Sequence, residues 1–599
     1  MAPKITVTQA GRRLRRAVQA AGREVRGGAP RPAAPTAPPT DGSTPQTPSA
    51  PAEAVTAPHS PTAPLPLTVA VAAGPRLTDL LAPEWRQRTL ERRTWRAALE
   101  GADLVVLEGV NGSVPGWGDG TPLAPVLQAA SAASVPTVLW VTDDTMPGDW
   151  AGTVQVLGAS SLRTVEALSG SGREVHHWAP AAQPRANGLA RDDDTTSRRA
   201  GALVVVDGLS RLTDDSVLRL VSGAVSPMPR TQTTVVRSPG KASSVTLPGA
   251  LAERLEGDRA PVGKASVLLD LSATAPGGAW TTVEAAAAQT PVVGPDREAD
   301  LPDDLARLIP RVDDPKLLRS ELVARIHQPE LVAREGLLLQ RAVLAGHTAA
   351  HRARALAGAA GLEVEASAPA TVSAVVPTNR EHELENVFGN IARQDHPALE
   401  LVLVLHGLET DDAELRRRAA AAGVSDLQIV HAAADLTLGS CMNLGVEAAG
   451  GSFIAKMDDD NFYGPHFVSD LLATFGYTDA GIAGKWAHYV WLRSTGGVVL
   501  RYPDSEHRYE RRIQGGSMLF AGDVVRSLRF SDIPRAVDSD ILDRAIAEGI
   551  RIYSGDRYNY VSVRGSDRHA HTWTVTDSTF LTATGRLLFY GDPTTHVSL

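Results

Sequence analysis

The chain has 599 residues, 43% hydrophobic and 21% charged, enough material for about two to four domains. A formal net charge of −9 excludes the broad basic face that nucleic-acid coating needs, and no run approaches the ~18 apolar residues of a membrane span. One cysteine, Cys441, excludes a disulfide framework and an all-cysteine zinc site and fits a reducing compartment, by default the cytoplasm.

The first 26 residues hold Lys4 and six arginines against the single acid Glu24, with Val and Leu between them and no apolar h-region. Such a segment is either a solvated tail or a basic amphipathic helix lying against an anionic membrane face. From Pro30 to Pro66 come 12 of the 41 prolines, mixed with Ala, Thr and Ser, as in an extended spacer. Residues 1–64 therefore read as tail and linker.

Regular structure is expected from residue 65. Short apolar runs at 67–71, 102–107, 136–141, 152–157, 202–206 and 267–270 alternate with helix-like stretches, the pattern of buried parallel strands in a doubly wound α/β layer. Residues 280–288 read as a helix, 290–295 as a strand and turn, and 314–361 as helical throughout, closing a first globular part at about 365. A second α/β part opens at 371. Its strands are expected at 371–376, 399–405, 427–430 and 452–457, and its helices at 383–393, 411–422 and 438–449.

The sharpest chemical signal is Phe453-Ile454-Ala455-Lys456-Met457-Asp458-Asp459-Asp460-Asn461, a buried strand running into three adjacent carboxylates. In open α/β sheets ligands bind at the carboxyl ends of strands. Three neighbouring acids repel one another unless a cation compensates them, and hard oxygen donors select Mg²⁺ or Mn²⁺. A plain helix cap, the competing explanation, needs only one acid.

Together with this cluster, four other motifs stand in a characteristic order: Val372-Ser373-Ala374-Val375-Val376-Pro377-Thr378-Asn379-Arg380, Leu438-Gly439-Ser440-Cys441-Met442-Asn443-Leu444-Gly445, Gln514-Gly515-Gly516-Ser517-Met518, and Val537-Asp538-Ser539-Asp540. Over roughly 371–575 the sequence resembles the family-2 glycosyltransferases with the GT-A fold. The resemblance implies that Pro377, Thr378 and Arg380 border a nucleotide pocket, with Asp458 and Asp459 on the donor. Asp460 would hold Mn²⁺ or Mg²⁺ on the diphosphate, and Gly515, Gly516, Ser517 and Asp540 would lie on the acceptor side. Asp538 would be the general base of an inverting transfer. Asp540 competes for that role, and either acid has a helix-capping alternative.

In Arg568-His569-Ala570-His571-Thr572-Trp573, one histidine would complete the metal shell; spacing of two in an extended segment puts the two on opposite faces, and His571 is the choice. A surface histidine beside Trp573 is the alternative. Two departures from the family stand out. The acidic turn that reads the base is replaced by Leu405-His406-Gly407-Leu408, and Val537 takes the first place of the usual Glu-Asp pair. The Gln-x-x-Arg-Trp motif of processive synthases is absent, which favours single transfers.

In the first part, Ala279-Trp280-Thr281-Thr282-Val283-Glu284-Ala285 followed by Thr290-Pro291-Val292-Val293 resembles the nucleotide-binding half of GT-B glycosyltransferases, including the CgeB-like group. By that likeness Glu284 would bind a ribose, against a packing or surface role on its helix. The expectation is thus a GT-B-like, Rossmann-type doubly wound part, degenerate or acceptor-holding, followed by a GT-A part at 371–599. The implied activity is a metal-dependent, inverting transfer of sugar from a nucleotide donor, UDP-linked first, to a hydroxyl of a cell-surface (cell-wall) glycan or polyol-phosphate precursor. Competing expectations are a bifunctional enzyme with two working transferase parts and a non-catalytic glycan-binding scaffold.

Overall fold

Buried apolar runs such as 104–107, 267–269 and 401–405 form inner strands of three large sheets. The computed structural model describes residues 59–170, 172–188, 201–205, 215–229, 233–237, 254–256, 262–271, 279–296, 300–365, 368–533, 535–565, 577–582 and 584–599. The basic tail, most of the proline-rich spacer and the 568–573 segment with His569 and His571 lie outside these residues. At the end of the spacer Leu65 is already buried, and its amide donates to Glu84 O at 2.8 Å.

The first sheet comprises β1 (Thr68–Ala72), β2 (Arg86–Thr89), β3 (Leu104–Gly109), β4 (Thr137–Val141), β5 (Val156–Ala159) and β6 (His176–His177), ordered 2-1-3-4-5-6 with every neighbour parallel. The second holds β7 (Ala202–Val205), β8 (Thr233–Arg237), β9 (Arg254–Glu256), β10 (Val267–Leu269), β11 (Val292–Pro295) and β12 (Arg311–Val312). Counted within this sheet their order is 3-2-1-4-5-6, again all parallel, which is the doubly wound arrangement with a crevice where the order reverses. The expected strand at 152–157 begins only at Val156, because residues 149–153 form a 3₁₀ turn.

The third sheet is mixed. Its parallel side carries β13 (Val372–Thr378), β14 (Leu399–His406), β15 (Leu427–Ala432) and β16 (Phe453–Lys456) in the order β15-β14-β13-β16. The order reverses between β13 and β16, so a crevice opens beyond Thr378 and Lys456. With β17 (Phe462–Tyr463), β18 (Ala480–Gly484), β19 (His488–Leu492), β20 (Gly497–Arg501), β21 (Arg508–Tyr509), β22 (Met518–Ala521), β23 (Arg551–Ser554), β24 (Tyr560–Arg564) and β25 (Gly585–Tyr590), the chain extends that sheet through β22-β18-β23-β21 and builds a five-stranded one, β17-β24-β19-β20-β25. Strand β22 runs antiparallel to β16 with Met518 opposite Lys456, which carries the Gly515–Ser517 turn to the end of β16.

The stretch expected to be helical throughout divides into Pro315–His327, Pro329–Gly346 and Ala349–Ala359. Pro329 starts a new helix at its first position, where a missing N–H costs nothing. The middle helix packs on both halves of the chain. Gln340 bonds Gln289 Nε2 at 2.7 Å and Ala287 O at 3.1 Å, while Leu337 enters the cluster of Tyr489, Val498, Leu500, Tyr558 and Val561. Arg341 on the same helix makes two 2.8 Å bonds to Asp470 in the helix Phe467–Tyr477. No helix among the described residues is long and apolar enough to cross a membrane.

Candidate active site

The site is built where β13 and β16 end. Strand β16 delivers Lys456 and then the acid run, and the turn at 459–461 is clamped from the helix Leu384–Ala392 by two asparagines one helical turn apart. Asn386 Nδ2 donates to Asp459 O at 2.6 Å and to Asn461 O at 3.1 Å, and Asn390 Nδ2 to Asn461 O at 2.9 Å. From the other side Tyr463 receives the Asp458 amide at 2.7 Å and donates its hydroxyl to Gly516 O at 2.6 Å. The backbone of the acid run is therefore fixed before any ligand arrives.

Each carboxylate has a distinct environment. Asp459, 4% exposed, is gripped by Arg380, with Nε at 3.0 Å from Oδ2 and Nη2 on Oδ1, and by Thr378 Oγ1 at 2.6 Å. Arg380 Nη2 also stands 3.0 Å from Asp460 Oδ2. Burial opposes the charge on this guanidinium, yet Asp459 and Asp460 together raise its pKa above the ordinary arginine value. Burial and the neighbouring Asp458 charge push the Asp460 carboxyl up despite Arg380. Asp458 keeps a third of its side chain exposed, with Oδ2 receiving Asn461 Nδ2 at 3.1 Å.

Lys456 lies at the centre, 2% exposed. Its Nζ is 2.7 Å from Asp458 Oδ1, 3.0 Å from Gly515 O and 3.4 Å from Asp538 Oδ1. Burial works against its charge, but Asp458 and Asp538 outweigh it and lift the ammonium above the usual lysine value. Asp538 opens the helix Val537–Ala547; its Oδ1 is buried although 37% of the side chain is exposed. Burial raises its pKa, Lys456 pulls it down, Asp458 pushes it up, and the net direction is upward.

The glycines of Gln514-Gly515-Gly516-Ser517 are required by close approach. A Cβ on Gly515 would lie 2.1 Å from Asp538 Oδ2, and one on Gly516 2.4 Å from Asp458 Oδ2. Ser517 is fully buried and spends its hydroxyl on Lys485 N and Gln514 O. Asp540 is engaged elsewhere, by Ser531 Oγ at 2.6 Å and Arg544 Nε at 2.9 Å, and these bonds hold its carboxyl below the ordinary value.

The structure thus gathers Asp458, Gly515 and Asp538 around Lys456 and Thr378, Asp459 and Asp460 around Arg380, the two groups joined by the acid run, with Gly516 against Asp458 and half-buried Pro377 on β13; Asp540, on the same helix as Asp538, is turned to Ser531 and Arg544. His571 lies outside the described residues. At the end of β14, His406 Nε2 and Thr410 Oγ1 are buried without a hydrogen-bond partner. The sequence reading gave no role to Lys456, Asn386, Asn390 or Tyr463. The one available signal was a lysine, among only six in the chain, inside a buried strand.

No group of three or more His, Cys, Asp or Glu side chains gathers as a metal shell among the described residues. The donor set still suits a hard cation, since Mg²⁺ is commonly held by one or two carboxylates with phosphate oxygens and water, and Asp458 beside Asp460 keeps a third of its side chain exposed.

In the N-terminal half two buried acids are engaged by the chain's own groups. Glu108, at the end of β3, accepts from Gly74 N at 2.6 Å and Thr142 Oγ1 at 2.7 Å. Glu284 is 5% exposed, with Arg76 Nε at 3.3 Å.

Residues 373–534 match the family model described as Glycosyl transferase family 2, a stretch that holds the acid run and the glycine turn and ends before Asp538. No curated protein sequence matches the chain. Among solved structures, a mannosyltransferase, PcManGT from Pyrobaculum calidifontis in complex with GDP-Man and Mn²⁺, is similar at 18% identity and TM-score 0.26, over 33% of this chain and 56% of that one. S. aureus TarS 1-349 in complex with UDP-GlcNAc is similar at 15% identity and TM-score 0.28, over 34% and 62%. The chain spans less than two thirds of the length of either structure.

Proposed function

We propose that this glycosyltransferase, whose family-2 region spans residues 373–534, moves a sugar from a nucleotide-sugar donor to a hydroxyl of a glycan or polyol-phosphate acceptor with inversion. The observation that carries the reading is the pairing of Asp458 and Asp538 on one buried ammonium beneath the Gly515–Gly516 turn. In this reading Asp458 serves the donor and Asp538 the acceptor, at the crevice where an α/β sheet binds ligands.

Thr378 and Asp459 fix Arg380, whose guanidinium lies at the edge of the crevice to meet the diphosphate. Asp458 meets the donor's ribose or sugar. His406 and Thr410, with hydrogen-bonding capacity unspent, face the base, and a UDP-linked donor is the first to test. Asp460 would hold a divalent cation, which when bound neutralises charge on the departing diphosphate. Asp538 takes the proton of the acceptor hydroxyl as that oxygen bonds to the anomeric carbon; the bond to the diphosphate oxygen breaks and its electron pair leaves with the nucleoside diphosphate. A carboxyl raised above the ordinary aspartate value is a better proton acceptor, and the Lys456 charge keeps it ionised.

The ion pair of Glu284 with Arg76 and the capture of the Gly74 amide by Glu108 favour one working centre over two. The test is release of nucleoside diphosphate from a panel of UDP-, GDP- and CDP-sugars by the full chain. Turnover of one donor that Asp538→Asn abolishes supports the reading, while turnover unaffected by that change contradicts it.

A further inference from the structure

We propose that Lys456 is a positioning residue for the transfer: its buried ammonium fixes the Asp538 carboxylate against Asp458 and so sets the distance between the acceptor's base and the donor. The inference rests on the transferase reading of this site and adds to it a group that touches neither substrate.

The geometry leaves Lys456 little else to do. The ammonium donates to Asp458 Oδ1 at 2.7 Å and to Gly515 O at 3.0 Å, and it forms an ion pair with the buried Asp538 Oδ1 at 3.4 Å. With the side chain 2% exposed, the ammonium is turned inward to these groups and away from solvent. The three partners come from three separate pieces of chain, the acid run after β16, the turn before β22 and the first turn of the helix at 537. One cation therefore ties together three of the elements that border the site.

Stability alone explains the lysine poorly. A buried ion pair replaced as a whole by apolar side chains of similar volume often costs nothing, because desolvation offsets the attraction, so the fold does not require such a pair, although removing the lysine alone strands its carboxylates. Here one cation faces two carboxylates, and Met518 and Val375 flank it across the sheet at the same register, apolar neighbours that suit a methionine. What an apolar side chain would not do is hold the two carboxylates close. Without the ammonium, Asp458 and Asp538 repel and Asp538 swings away. Because Lys456 engages Oδ1, the other oxygen, Oδ2, which approaches Gly515, is left to accept the proton.

The experiment compares the full-length wild type with Lys456→Met and Lys456→Arg in three measurements: kcat and KM for donor turnover, calorimetric Kd for the matching nucleoside diphosphate with Mn²⁺, and thermal unfolding. Expected is a kcat lower by ~100-fold for Met, the scale of a 1 Å misplacement, with Arg in between and nucleotide Kd within about threefold of wild type for both. If the Met variant does not fold, the Arg variant carries the same split. Unchanged kcat in the folded variants overturns the inference, as does a loss of nucleotide affinity that parallels the loss of kcat, since that would place Lys456 on the donor or in the fold. A wild type that binds no nucleotide overturns the transferase reading itself, an outcome distinct from an active wild type whose variants stay active.

Discussion

Gly515→Ala isolates the Asp538 carboxylate from the rest of the site. The backbone at Gly515 is not in the left-handed region, so alanine introduces no strain of its own. Its Cβ would lie 2.1 Å from Asp538 Oδ2 and 2.6 Å from Cγ, and reaching the 3.4 Å of ordinary contact moves the carboxylate by about 1.3 Å. The yielding group is the end of a side chain, so the fold should lose no more than ~1 kcal/mol, within the common range for a point change. Catalysis should suffer far more, because a misplacement of about 1 Å in the reacting geometry costs ~100-fold in rate. The assay is kcat and donor KM, with thermal unfolding alongside. Expected is kcat down ~100-fold at unchanged donor KM and a melting temperature within a few degrees. Gly516→Ala, whose Cβ would lie 2.4 Å from Asp458 Oδ2 and 2.7 Å from Asn461 Nδ2, should instead raise donor KM. A Gly515→Ala enzyme with wild-type kcat would refute the placement of Asp538 at the reacting atoms.

Three further outcomes follow from the same geometry. Asp540→Asn should change kcat by less than about threefold, because Asp540 is occupied by Ser531 and Arg544; a loss like that of Asp538→Asn, measured in parallel, would transfer the base role to Asp540. Asp538 works deprotonated and its pKa is raised by burial, so kcat/KM should fall with acidification through a value above the ordinary aspartate range, read from a pH–rate profile. Arg341→Leu strands the 5% exposed Asp470 side chain without its guanidinium and should cost about 3–5 kcal/mol in denaturant unfolding, far more than an exposed pair would.

Sequence patterns revealed those parallel strands that read as apolar runs, as at 374–376 and 401–405, but not the parallel β2, β6, β8, β9 and β12, which are short or carry polar residues. The antiparallel additions were not legible: β17 and β21 have two residues each, and β25 exposes Arg586, Leu587 and Tyr590 with no clean alternation. At the site, Asp458 and Asp460 stood out because adjacent acids after a buried strand are unusual, whereas Gly515 and Asp538 were reached only through the resemblance of the ordered motifs to a known family. Lys456 did not stand out, since a lone strand lysine ordinarily marks an exposed edge, and only the pairing of β16 with β13 and β22 encloses it. Asn386 and Asn390 share a polar helix face that reads as solvent-facing until the 459–461 turn is laid against it. The Arg341–Asp470 pair joins residues 129 apart, a separation that no local pattern encodes.

The most direct test of the proposed donor site is calorimetric titration of the full chain with UDP, GDP, ADP and CMP, with and without Mn²⁺, beside Asp460→Ala and Asp538→Asn. One nucleotide binding with Mn²⁺ to wild type and to Asp538→Asn, but not to Asp460→Ala, is the expected result. Equal binding by Asp460→Ala, or no nucleotide bound by a folded wild type, would contradict it.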